Sequence, residues 1–117
     1  MTTAEIAKDF TKLLKQGDSH GAAAKYNADD IVSYEAMEGP MAVCNGKEAV
    51  KQKSAWWEAN HEVHGGSVEG PYVNGDQFAL RFSFDITPKS TGERVKMDEV
   101  GLYTVKNGKI SEERFYY

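Results

Sequence analysis

Near the start of the chain, apolar residues recur at helical spacing at Ile6, Phe10, Leu13 and Leu14, which predicts one amphipathic helix. Thr2 and Glu5 stand ahead of it at the spacing of a capping box, so its first turn has its own acceptors. Gly17 supplies a left-handed stop, and Asp18 can cap a short second helix from about Ser19 to Tyr26. Asp29-Asp30 then marks a break before Ile31-Val32-Ser33-Tyr34-Glu35, an extended segment in which Ile31, Ser33 and Glu35 share one face. Glu38-Gly39-Pro40 turns the chain. Asn45 and Glu48 repeat the capping-box spacing ahead of Ala49, Val50, Lys53, Trp56, Trp57 and Asn60, which predicts a third and clearest helix.

Beyond that helix the period changes from helical to alternating. Gly65-Gly66 announces a bulged or irregular strand between about Val63 and Val73. Asn74-Gly75 and Asn107-Gly108 are two-residue hairpin signals, because Asn and Gly tolerate the positive backbone angles such turns require. Between them Phe78, Leu80, Phe82, Phe84 and Ile86 alternate with Ala79, Arg81, Ser83 and Asp85, a long strand with one apolar face. The Pro88–Gly92 loop reverses it into a strand from about Arg94 to Val105, and a last strand runs from about Lys109 to Tyr117. Three helices before an antiparallel meander predict an α+β fold, with helices covering one face of a curved, mostly antiparallel sheet.

The chain has 117 residues, 40% of them hydrophobic, enough for one core and one domain over residues 1–117. With 14 basic against 18 acidic residues and no concentration of Lys or Arg, nucleic acid is not an expected partner. No apolar run approaches the roughly 18 to 20 residues of a membrane span, and the N-terminus lacks the form of a signal peptide, so a cytoplasmic protein is expected. The single Cys44 excludes an internal disulfide and fits a reducing compartment; it stands where a helix cap is expected, as a buried or incidental thiol.

The order helix, helix, strand, helix, then four meandering strands resembles the nuclear transport factor 2-like superfamily, and within it the SnoaL-like group of polyketide cyclases and ketosteroid isomerases. The resemblance covers essentially the whole chain. It is carried by Gly17-Asp18, by Tyr26-Asn27-Ala28-Asp29-Asp30, by Asn45-Gly46-Lys47-Glu48-Ala49-Val50 and by Asn107-Gly108-Lys109-Ile110. It implies a cone-shaped barrel that binds a small apolar molecule inside, without metal or organic cofactor, and that forms a homodimer through its outer sheet face. The isomerases' general-base carboxylate, five residues after the acidic residue that starts the first strand, falls here on Glu35. The places of their two oxyanion donors fall on Phe10 and Gly101, neither of which can donate a side-chain hydrogen bond. Losing one such donor costs on the order of 100- to 1,000-fold in rate, so the resemblance does not extend to steroid isomerisation.

Glu35 is the first catalytic candidate, because a carboxylate facing an apolar interior has its charged form disfavoured and suits proton abstraction near neutral pH. Glu99 alternates with Met97, Gly101, Tyr103 and Val105, and Glu113 with Phe115 and Tyr117; these paired carboxyls either share a proton or pair with Arg81, Arg94 or Arg114 on the sheet. Trp56, Trp57, Phe82, Phe84, Tyr103 and Phe115 supply the aromatic surface for a ligand cavity, and Phe10 joins them from the first helix. His61, Glu62 and His64 resemble metal ligands in composition, but a helix-to-strand junction gives them neither helical nor same-face strand spacing, so no metal site is expected. The outer face, with Val100, Leu102 and Thr104 beside Ala79, Arg81 and Ser83, has the mixed polarity of a dimer interface.

Overall fold

The computed structural model describes residues 1–117. Helices α1 (Thr3–Lys15), α2 (Ser19–Tyr26) and α3 (Lys47–Asn60) combine with strands β1 (Asn27–Tyr34), β2 (Val43–Asn45), β3 (His61–Asn74), β4 (Gln77–Pro88), β5 (Val95–Lys106) and β6 (Lys109–Tyr116). The strands form one sheet in the order β2-β1-β6-β5-β4-β3. Strands β3 to β6 are the expected antiparallel meander, whereas β1 enters beside β6 in parallel. The α+β class and the mostly antiparallel sheet are as the sequence predicts. No helix is long and apolar enough to cross a membrane.

Local chemistry explains most element ends. Thr2 and Glu5 form the reciprocal capping box of α1, and the Asp18 carboxylate accepts from the Gly21 amide to start α2. The Asn45–Glu48 box does not form: Gly46 caps α3 at φ 93°, without a side-chain bond, because Asn45 is already the last residue of β2, paired with Val32. Cys44 likewise lies buried in β2 rather than in a cap. Asp29 and Asp30 do not interrupt β1, which starts at Asn27; the break that they suggest is a register shift between Asn27 and Val32 against β6. The first hairpin turns on Gly75-Asp76, since Asn74 is still paired with Gln77; Gly75 takes φ 60° as the leading residue of the turn. The second turns on Asn107 and Gly108, both at positive φ, as expected.

Along β4 the alternation is realised: Phe78, Leu80, Phe82 and Ile86 are buried, Phe84 is half-buried and Arg81 is exposed. A slip of one residue would reverse every one of those positions. Beneath α1, the Phe10 ring lies 5.1 Å from Tyr103 and 5.8 Å from Phe78, which itself stacks on Tyr103 at 4.9 Å. Ile6, Ala22, Tyr26, Ile31 and Ile110 complete this core. The opposite face of the meander is mixed: Tyr72, Val73, Val100 and Tyr116 are exposed there or at its edges, near Arg81 and its acidic neighbours Glu69 and Asp98.

Candidate active site

Antiparallel register places directly opposed side chains on one face of a sheet. Phe78, Tyr103 and Glu113 follow one another across β4, β5 and β6, and parallel pairing continues the row to Ser33 of β1. One step along, Leu80, Gly101 and Phe115 form the next row, and Phe82 faces Glu99 in the row after that. Tyr103 and Ser33 are buried, as is Glu113 at 9% exposure, so these rows bring polar groups into the interior between sheet and helices.

Helix α3 contributes the one cation. Lys53 donates to Ser33 Oγ and, at 2.9 Å, to Glu35 Oε1, with side chains only 11% and 20% exposed in the ion pair. The Tyr117 hydroxyl donates to the other Glu35 oxygen at 3.0 Å. Glu35 follows the last residue of β1, and its amide donates to the carbonyl of Ala42, which fixes its position against the incoming chain of β2. The isolated carboxylate expected at Glu35 is therefore replaced by one with both oxygens engaged. The reason is Lys53, whose stem lies along the buried side of α3 and delivers the ammonium to the end of β1.

Glu99 and Glu113 are the carboxyls without such help. Neither pairs with an arginine: Arg81 reaches toward Glu69 and Asp98, Arg94 holds Asp85, and Arg114 lies near Glu112. Burial pushes the Glu99 carboxyl up to about 7; the charges of Glu35 and Glu113 add to this and Lys53 opposes it. Burial also pushes Glu113 up to about 7, opposed by Lys53 and reinforced by Glu35. Both groups are thus shared between acid and base forms near neutrality. Burial drives the Tyr103 phenol well above its ordinary range, with the three carboxylates adding to the effect. Tyr117 is pushed up to about 12, first by burial and then by the Glu35 charge. Both phenols stay protonated and remain able to donate.

Glycine at position 101 makes room for this arrangement. A Cβ there would come within 3.0 Å of the Tyr103 hydroxyl and 3.2 Å of the Phe115 ring. A phenol therefore stands beside the position where the sequence shows no side-chain donor. The Lys53 ammonium lies 5.3 Å from the centre of the Phe115 ring, so this ring already tolerates a cation.

Of the residues singled out from sequence, Glu35, Glu99, Glu113, Tyr103 and Phe115 come together, and Phe82 adjoins them opposite Glu99. Phe84 stacks on Phe82, and Trp57 packs on Phe84 and on His61, forming an aromatic extension of the site. Phe10 lies in the packed core beneath α1. Trp56 stands apart, 48% exposed, on a surface groove of about 550 Å³ between the segment 40–45 and α3; Lys53 lines the same groove. His64 meets Thr87 and His61 meets the Trp57 carbonyl, so these two imidazoles are engaged separately. Sequence reasoning missed Lys53, Ser33 and Tyr117 as site groups. The signal for Lys53 was present: it is the one charged residue at a position where α3 otherwise repeats apolar side chains, at 49, 50, 53, 56 and 57.

The SnoaL-like domain matches residues 1–117. A candidate SnoaL-like polyketide cyclase from Mesorhizobium loti, whose name also carries the words carbohydrate phosphatase, is 85% identical, with 100% of each chain covered and a TM-score of 0.98. An NTF2-like protein from Burkholderia xenovorans is 25% identical, covering 99% of this chain and 90% of its own, at a TM-score of 0.73. A Catenulispora acidiphila protein with a ketosteroid isomerase-like fold, solved with trimethylamine, shares 21% identity over 82% of this chain and 72% of its own, at a TM-score of 0.69. No curated protein matches the chain. Helices, meander and enclosed carboxyls thus sit in a domain matched along its full length, and the chain belongs to the SnoaL-like family.

Proposed function

We propose that the interior between helices and sheet binds a small, largely apolar molecule and moves a proton to or from it, without metal or organic cofactor, as an isomerase or cyclase would. Glu99 and Glu113 are the proton carriers. Glu35 fixes Lys53 and accepts the Tyr117 O–H, which leaves the third Lys53 N–H and the O–H of Tyr103 to face charge developing on a substrate oxygen. The observation that carries this reading is the pair of enclosed carboxyls pushed to about 7 beside an ion pair, since a proton carrier works best near the operating pH. Trimethylamine in the Catenulispora protein supports a small organic guest in a fold of this kind. Phosphate-ester hydrolysis fits less well: three carboxylates surround one lysine already committed to Glu35, and such a field repels a phosphate dianion.

A binding module without chemistry is the second reading, favoured by the absence of side-chain donors at Phe10 and Gly101. The two separate on 2-tetralone, an apolar ketone with acidic α-hydrogens, incubated with the protein in heavy water. Proton transfer predicts deuterium incorporation above the buffer rate, lost in Glu99→Gln. Incorporation at the buffer rate with wild-type protein, over a panel of enolisable ketones, would leave the binding module.

The partner proposed for the outer sheet face is a second copy of the chain, on the strength of exposed Val100 and Tyr116 beside Arg81. Light scattering is expected to give twice the 13.0 kDa chain mass, and a particle of the single chain mass would contradict it.

A further inference from the structure

The site holds more negative groups than it can neutralise. Facing one another are Glu35 at the end of β1, Lys53 from α3, Glu99 and Tyr103 from β5, Glu113 from β6 and Tyr117 just after it; α1 and β4 add only the uncharged rings of Phe10 and Phe82. Lys53 directs two of its three N–H donors at Ser33 and Glu35. Glu113, nine-tenths buried, has no ion pair or hydrogen bond, and Glu99 has none either. No side-chain oxygen of the protein is both fully enclosed and without a partner, so the unpartnered carboxyl oxygens retain access to open space. Around them stand the rings of Tyr103, opposite Glu113, Phe82, opposite Glu99, and Phe115 beyond Gly101.

Resting on the reading that this cluster is the ligand site, we propose that its guest is a small organic cation with an apolar body, its charge set against Glu99 and Glu113 and its alkyl groups against the rings of Phe82, Tyr103 and Phe115. A buried carboxyl without a counter-ion resolves its desolvation in one of two ways, by taking a proton or by gaining a cation. Burial moves Glu99 and Glu113 the first way, toward the protonated form. An alkylammonium offers the second, because it brings a diffuse, weakly hydrated charge that aromatic faces also attract. A neutral guest of the same shape would gain the ring contacts and leave the two carboxyls as they were.

The consequences are a preference for charge over shape and an exchange of protons for ligand. As pH rises through 7, Glu99 and Glu113 lose protons and the net charge of the cluster moves toward two negative, so affinity for a permanent cation rises. Choline and tetramethylammonium serve as probes, because neither titrates, and 3,3-dimethylbutan-1-ol is the uncharged shape of choline. Calorimetry with full-length protein should give an affinity for choline at least about tenfold above that for the alcohol. Affinity should increase severalfold from about pH 6 to about pH 8, with protons released on binding near pH 7. Glu113→Gln and Glu99→Gln should each weaken choline binding by about tenfold and reduce proton release, while circular dichroism reports an intact fold. Equal binding of choline and the alcohol, or no binding of either cation, overturns the proposal. Monitoring the carboxyl carbons by NMR in the same samples separates the two levels. Titration near 7 that choline does not shift removes the cation and keeps the proton carriers; titration of both groups in the ordinary carboxylate range removes both.

Discussion

Lys53→Met should destabilise the protein by about 3 kcal/mol at about pH 8, the largest single-residue effect expected in the site. In the wild type the ammonium satisfies Glu35 and Ser33 and is the only positive group favouring ionisation of Glu99 and Glu113. Methionine keeps the apolar stem and removes the charge, leaving three carboxyls with no cation among them. Removing one member of an enclosed ion pair costs more than the pair contributes, because its partner stays behind desolvated. The loss should shrink at about pH 5, where Glu99 and Glu113 are already protonated in both proteins. Urea melts at the two pH values measure this directly. Equal losses at both would mean that Lys53 contributes through packing alone.

Glu113→Gln should have the opposite sign. The folded-state value of Glu113 is raised to about 7 from 4.5, so between these values the native chain binds more protons than the unfolded chain. Stability therefore falls as pH climbs from about 4.5 to about 7, and the full penalty of ionising the enclosed carboxyl is present above that window. A shift of this size corresponds to on the order of 3 kcal/mol for one group. An amide of the same shape has no charge to bury, so the variant should be more stable than wild type at about pH 8 by about 1 to 3 kcal/mol, or several degrees in Tm. At about pH 5 the two should melt together. A variant less stable than wild type at the higher pH would mean that Glu113 has a partner in the folded chain.

The strands, the helices and their apolar faces were legible because each carries a local period. The alternation from Phe78 to Ile86 predicts the register of β4, and Thr2, Glu5, Gly17 and Asp18 mark the ends of the first two helices where they are found. Strand β2 was not legible, since three residues carry no period, and its presence is what turns Asn45 from a helix cap into a strand residue. The parallel placement of β1 beside β6 joins segments some eighty residues apart, which no local pattern reports. In the site, alternation put Glu99 and Glu113 on the inward faces of their strands, yet which of the three carboxyls would be paired depended on one helical lysine meeting the end of β1. That contact and the Tyr117 hydroxyl engage both oxygens of Glu35, whereas Glu99 and Glu113 have no ion pair.

Carboxyl-carbon NMR titration of the wild-type protein from about pH 4 to about pH 9, with Glu99→Gln and Glu113→Gln to assign the resonances, tests the central claim most directly. Two transitions centred near 7, one lost in each variant, are the expected result, with that of Glu99 lowered in Glu113→Gln because Glu99 then loses a negative neighbour. Midpoints near the ordinary glutamate value of about 4.3 for both groups would contradict it, since carboxyls fully ionised well below neutrality could neither hold a transferable proton nor exchange one for a cation.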